Sequence, residues 1–238
     1  YTLALDNGRR FARDSQGDAA LKKDVAAARI KLADLKVWGG NPSEALETYR
    51  EVAPQLEGLD RAETIRKLGF VANQLGDYRT AIESLQQARD LARPLMAADP
   101  KNLAPKTTFA LASQRLGEAL ASTGEYVQAI EHVTTALRVY EEMSAADPSS
   151  TQTRRRIWAS SMILGDVLKK ANRLKEAEIR YRAVARMTDS LMQADPENRQ
   201  YQKDYIATLS RLADLLAAQP ARSAEVRALT EKALQTLQ

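Results

Sequence analysis

The chain has 238 residues, of which 35 are Lys or Arg, 31 are Asp or Glu and none is Cys. Without Cys, disulfides, thiolate metal sites and thiol catalysis are excluded. The net charge of only +4, with both signs interleaved along the chain, argues against nucleic-acid binding.

Aromatic residues make up 5% of the chain, and Ala, Leu, Glu and Gln are abundant, which predicts amphipathic helices and few strands. No apolar run approaches the ~18–20 residues of a membrane span, so we expect no membrane insertion by this segment. Because the chain begins at Tyr1 rather than Met, we expect it to be a segment of a longer protein.

In chain order, a lead-in helix is predicted over about Thr2–Asp14, within a segment 1–17, and five helix pairs follow. The first helices of the pairs are predicted near 18–38, 59–75, 101–123, 150–171 and 198–218. The second helices are predicted near 43–57, 78–97, 126–146, 174–194 and 222–237. Pro94 lies late in one second helix and is expected to kink or fray it.

The tripeptide Ala-Asp-Pro recurs with a fixed period, at positions 98–100, 146–148 and 194–196. A residue before proline resists helical angles and proline lacks the amide donor, so each tripeptide is expected to end a helix pair. A period of this size indicates a stacked repeat protein.

Other positions follow the same period. Small residues in the first helices predict close crossing by a second helix, at Gly69, Gly117 and Gly165. Left-handed helix ends are predicted at Gly76, Gly124 and Asn172. Close contacts of the second helices are predicted at Ala81, Ala129 and Ala177.

This order of Leu-Gly, Gly-acid-Tyr and Ala resembles the tetratricopeptide repeat (TPR), a helix-turn-helix unit of 34 residues. The resemblance implies an all-α solenoid of antiparallel helix pairs that forms a right-handed superhelix. The units in the middle of this chain are elongated relative to that repeat, at about 48 residues each. We expect a repeat domain over 18–238, with units at about 18–58, 59–100, 101–148, 149–196 and 197–238, the last a degenerate cap.

The segments Ala12–Asp18 and Gly40–Arg50, with the Ala-Asp-Pro spacers, are similar to the C-terminal repeat region of certain bacterial serine/threonine kinases. The resemblance implies a regulatory or substrate-recruiting tail of a signalling protein. The alternative is the ligand-sensing domain of a transmembrane kinase. The segment would be extracytoplasmic if its parent spans the membrane and cytoplasmic otherwise. The sequence has no Gly-rich phosphate loop, His-Arg-Asp or Asp-Phe-Gly, so this segment is not expected to be an enzyme.

In TPR folds the residue after the small position faces the concave groove. The resemblance therefore implies a partner-binding face on the first helices, which includes that row and neighbours one turn away: Asp34, Arg66, Phe70, Asn73, Gln114, Glu118, Met162, Asp166, Lys169 and Asp214. Its acids favour a basic or polar partner. Alternatively, each acid pairs with a base of the adjacent unit, such as Arg115 or Arg211. The Asn row of the carboxylate clamp, which binds chaperone tails, is absent.

Three further features have alternative interpretations. His132 is the only histidine, so we expect a satisfied or solvent-facing side chain rather than a catalytic or metal-binding one. The run 154–156 of three arginines is a solvated first turn or an anion site. Trp38 and Trp158 are interpreted as packing anchors between helices, or else as anchors that line the groove.

The sequence therefore predicts a non-catalytic protein–protein interaction module with no cofactor and no metal. Its partner is expected to be a protein or peptide. Self-association is a further expectation, and nucleic acid is not an expected partner.

Overall fold

The computed structural model describes residues 19–236, which form ten α-helices and no strand. The helices are α1 (Ala19–Trp38), α2 (Pro42–Val52), α3 (Gly58–Gln74), α4 (Tyr78–Ala98), α5 (Leu103–Ser122), α6 (Tyr126–Ala146), α7 (Thr151–Lys170), α8 (Leu174–Ala194), α9 (Arg199–Leu216) and α10 (Ser223–Gln235). Short 3₁₀ turns at Ala53–Gln55 and Pro220–Arg222 precede α3 and α10. The expected lead-in helix lies outside the described residues.

The all-α prediction is confirmed, and the ten helices lie close to the ranges expected for the five pairs. Pro94 does not end its helix, because α4 continues to Ala98. The side chain of Pro94 is exposed, so its ring lies on the solvent side of the helix.

The described residues form two compact units, one that ends at Thr123 and one that begins at Gly124. In the first unit each of the helices α1 to α4 packs on the next one along the chain, and α3 also contacts α5. In the second unit α6 to α10 pack in the same sequential way, and α7 also contacts α9. Neighbouring first helices therefore touch in each unit.

Small residues allow the helices to approach closely. Ala81 and Ala177, at the start of two second helices, are completely buried. A Cβ atom added to Gly165 of α7 would lie 2.4 Å from a ring carbon of Tyr181 on α8. A Cβ atom added to Gly69 of α3 would lie 2.6 Å from a side-chain carbon of Leu85 on α4. These two glycines provide the close crossing that the sequence predicts.

The helix ends follow the local chemistry. Gly76, Gly124 and Asn172 have φ values of 79°, 87° and 59°, so the predicted left-handed ends are confirmed. At the Ala-Asp-Pro segments α4, α6 and α8 end at Ala, and the Asp that follows leaves the helical region, with ψ between 79° and 87°.

Candidate partner-binding face

The residues of the expected face differ in exposure. Lys169 and Asp214 are exposed, and the other acids of the row are partly exposed. Gln114 and Met162 are each only 4% exposed, so a partner could contact them only if neighbouring side chains moved.

In the first unit, Asp34 of α1 accepts hydrogen bonds from two other helices. The Tyr49 hydroxyl of α2 donates to Asp34 Oδ1 at 2.7 Å, and Lys67 Nζ of α3 lies 2.6 Å from Asp34 Oδ2. Burial, with the nearby Asp34 carboxylate, raises the pKa of Tyr49 far above its ordinary value. The three side chains join three successive helices.

The second unit repeats this arrangement. The Tyr181 hydroxyl of α8 donates to Asp166 Oδ1 of α7 at 2.6 Å, and Arg211 Nε of α9 lies 2.8 Å from the same oxygen. Burial and the Asp166 carboxylate again raise the pKa of the tyrosine. We call these sets the two Asp-Tyr-base triads: Asp34-Tyr49-Lys67 and Asp166-Tyr181-Arg211.

Between α3 and α5 an aromatic ring takes the place of the acid. The Arg115 guanidinium lies 4.7 Å from the centre of the Phe70 ring, a cation–π distance. Arg115 Nη1 also lies 2.7 Å from Glu118 Oε2 on the same helix, and Gln114 donates to the other Glu118 oxygen. Asp34 and Asp166 are therefore ion-paired with a base of the adjacent helix pair, as the alternative interpretation of the row expects, whereas Glu118 pairs with Arg115 of its own helix.

The contact between α3 and α5 includes a second polar cluster. Glu63 binds Arg66 at 2.8 Å and accepts a hydrogen bond from the Thr108 hydroxyl at 3.1 Å. Burial opposes ionisation of Glu63, but the Arg66 and Thr108 contacts hold the pKa of this carboxyl below its usual range. Further along α3, the Asn73 Oδ1 atom is buried without a hydrogen-bond partner.

Sequence reasoning missed the two tyrosines of the triads. Tyr49 and Tyr181 follow their Asp at the same spacing along the chain and are 1% and 0% exposed. The signal was present as an Asp followed by Tyr at this constant spacing in two repeats. Without the helix packing it could not be distinguished from an ordinary buried aromatic position.

The arginine run and the tryptophans lie in different environments. Arg154 donates to the Pro148 carbonyl at 2.8 Å, Arg155 is exposed, and Arg156 lies over the Tyr140 ring. Trp158 packs in the core of the second unit and donates to Thr208, which agrees with a packing anchor. The packing interpretation is wrong for Trp38, which is 88% exposed at the end of α1.

Other kinds of site find little support among residues 19–236. No group of three or more His, Cys, Asp or Glu in this range could hold a metal ion. None of the described helices combines the length and the apolar character that crossing a membrane requires. His132 is partly exposed and has an interaction partner.

No family model and no curated protein matches the chain. Solved structures do match. BtubC from P. vanneervenii is 16% identical with a TM-score of 0.73, over 99% of this chain and 87% of BtubC. A putative kinesin light chain with TPR-like repeats from Podospora anserina is 18% identical with a TM-score of 0.67, over 89% of this chain and 94% of the other.

A third similar structure is a Rap protein complexed with competence and sporulation factor, at 13% identity and a TM-score of 0.65. The match covers 97% of this chain and 58% of the Rap protein, so this chain spans little more than half of that protein. At these identities the likeness concerns the fold alone. Together with the helix pairs and their small-residue contacts, it shows that this chain has the TPR-like helical-repeat fold.

Proposed function

We propose that this chain is a non-catalytic protein–protein interaction module that binds a peptide or an extended segment of a partner protein along its first helices. The observation that carries this proposal is the row of polar side chains across neighbouring first helices. Asp34 and Asp166 keep 36% and 35% of their side-chain surface exposed although each is ion-paired. Similarity to a Rap protein solved in complex with a Phr* peptide supports a peptide as the partner.

The ion pairs change the expected character of that partner. Lys67 and Arg211 neutralise the acids at 34 and 166, so an open acidic surface does not extend along the row. A segment with alternating polar groups complements paired charges better than a uniformly basic one does. We therefore propose a polar partner, bound at residues of the expected face that remain accessible, such as Lys169 and Asp214.

The larger context is proposed from the sequence resemblance alone. Similarity to the repeat region of bacterial serine/threonine kinases supports a regulatory or substrate-recruiting role in a larger signalling protein. The full-length coding sequence tests this proposal, because a kinase domain in the same chain is expected. A parent chain of another class would contradict it.

A charge-reversal pair tests the binding face. Lys169→Glu changes an exposed residue of first helix α7, and the control Lys175→Glu makes the same change at an exposed position of second helix α8. Partners captured by the full chain are identified by mass spectrometry and their affinities are then measured by calorimetry. We expect Lys169→Glu to weaken binding at least tenfold and Lys175→Glu to leave it within twofold. Equal effects, or no partner and no self-association at micromolar concentration, would contradict the proposal.

A further inference from the structure

The contact between α7 and α9 in the second unit ends in a cavity. Trp158 lies two turns along α7 from Asp166. Its Nε1 atom donates to the Thr208 hydroxyl of α9 at 3.0 Å. Beyond Trp158, towards the start of both helices, a cavity of about 290 Å³ opens. Its walls include Arg155 and Trp158 of α7, Leu191 of α8, and Tyr201 and Asp204 of α9.

Asp204 is an unusual residue for this position, because it is only 7% exposed and has no ion-pair partner among residues 19–236. Its Oδ1 atom accepts one hydrogen bond, from Gln200 Nε2 at 2.7 Å. Burial raises the pKa of this carboxyl, although the hydrogen bond from Gln200 and the charge of Arg155 act in the opposite direction. A buried carboxylate with a neutral partner alone is destabilising unless a cation approaches it.

The equivalent position in the first unit has a neutral side chain instead of an acid. Thr108 of α5 lies two repeat periods before Asp204. The Thr108 hydroxyl donates to Glu63 of α3, so there the buried polar atom belongs to a satisfied cluster with Arg66. Packing at this position is thus compatible with a small neutral side chain. The acid at 204 is not required by the repeat, and this points to a ligand.

The arginines at the cavity do not satisfy Asp204. Arg154 Nη1 donates to the carbonyl of Pro148, while Arg154 Nε is buried without a hydrogen-bond partner, and the Arg155 side chain is exposed. An exposed guanidinium such as that of Arg155 gains little from an added anion, whereas a largely buried carboxylate that lacks an ion pair gains more from a cation. The rings of Trp158 and Tyr201 provide walls on which an alkyl stem or a guanidinium plane can lie.

We propose that this cavity receives the cationic side chain of a Lys or Arg in a partner segment, with Asp204 as its counter-ion. Ligand pockets for drug-sized molecules begin at about 300 Å³, so a cavity of 290 Å³ suits one side chain. The inference rests on the proposed function only in taking the cation to be carried by a partner protein.

The test uses the full chain and a small probe that needs no partner. The sequence has two tryptophans, so the indole N–H signal of Trp158 can be assigned in NMR spectra with a Trp38→Phe variant. Titration with N-acetyl-arginine amide is expected to shift the Trp158 signal with millimolar saturation. N-acetyl-citrulline amide, which has the same shape without the charge, is expected to bind at least tenfold more weakly.

Two variants complete the design. Asp204→Asn is expected to fold, since it removes a buried charge and can keep the Gln200 contact, and to reduce arginine binding at least tenfold. Glu197→Gln removes the same charge at an exposed position in the loop before α9 and is expected to bind like the wild type.

Equal binding by Asp204→Asn, or an equal response to citrulline, would overturn the inference. So would a Trp158 shift with phosphate that Arg155→Gln abolishes. None of these results bears on the Lys169 partner assay, so the two proposals fail separately.

Discussion

At the scale of single residues, the triads show how one polar position can connect three helices. Asp166 accepts a hydrogen bond from Tyr181 within its own pair and binds Arg211 of the following pair. Hydrogen bonds to a charged group contribute about 1.5–3 kcal/mol, more than bonds between neutral groups. The row residue of a first helix is therefore part of the contact between repeats, and only its exposed portion is available to a partner.

Gly165 provides a test of the close contact beneath this triad. Gly165→Ala would place a Cβ atom 2.4 Å from the Tyr181 ring, whose position is fixed by the hydroxyl bond to Asp166. Overpacking of this kind costs about 1–3 kcal/mol, which exceeds the ~1 kcal/mol that Ala gains over Gly in helix propensity. We expect a lower free energy of unfolding, measured by urea denaturation.

Ser210→Ala in α9 is a suitable control, because Ser210 is exposed and bonds only to a carbonyl of its own helix. This control is expected to change the free energy of unfolding by less than about 0.5 kcal/mol. A Gly165→Ala variant as stable as the wild type would show that Tyr181 can move without cost.

At the scale of helices, the Ala-Asp-Pro segments have two structural roles. They end one helix, and three residues after the Asp comes the N-cap of the next: Asn102, Ser150 and Asn198. Each of these side chains accepts a hydrogen bond from a backbone N–H of the first turn. The segment Asp-Pro-x-Asn/Ser is thus a complete connection between pairs.

Unlike the prolines of the Ala-Asp-Pro segments, Pro94 lies inside a helix. Its nitrogen cannot donate to the carbonyl of Asp90, and Pro is about 3 kcal/mol less favourable than Ala in a helix interior. Because the side chain is exposed, its replacement removes no buried contact. We expect Pro94→Ala to raise the free energy of unfolding by about 1–3 kcal/mol in thermal or urea denaturation.

Ala97→Ser, at an exposed position one turn later, controls for the general effect of substitution in α4 and should be slightly destabilising. No gain from Pro94→Ala would indicate that the helix is already relaxed around the proline.

The helices and their contacts show how much of the structure could be predicted from the sequence. The helix ends were predictable because Gly76 and the Asp-Pro pairs act through their own backbone angles. The face was only partly predictable. The repeat motif correctly aligns Asp34 with Asp166, but whether they are open or paired depends on Lys67 and Arg211, which belong to other helices. Tertiary packing also decides the exposure of Trp38 and the burial of Asp204, and the local pattern around them does not differ from that of neighbouring helix positions.

At the scale of the whole molecule, each compact unit contains one Asp-Tyr-base triad, and this couples the stability of both units to alkaline pH. Tyr49 lies in the first unit and Tyr181 in the second, and the folded-state pKa of each is raised above that of an unfolded tyrosine. The unfolded chain loses these protons above about pH 10 while the folded chain keeps them. Folding stability is therefore fully present below pH 10 and falls as the pH rises further.

Tyr181→Phe tests this linkage in the second unit. At pH 8 the variant should be less stable by about 1–3 kcal/mol, because it loses the hydrogen bond to Asp166. Above pH 10 the wild type loses about 1.4 kcal/mol per pH unit for each retained proton, whereas the variant has no such proton at this position. The difference between the two proteins should therefore shrink between pH 10 and pH 11 in urea denaturation followed by circular dichroism. Tyr78→Phe, at an exposed tyrosine, should keep the wild-type slope, and a Tyr181→Phe variant that also kept it would mean that the triad hydroxyl ionises as freely in the fold as in the unfolded chain.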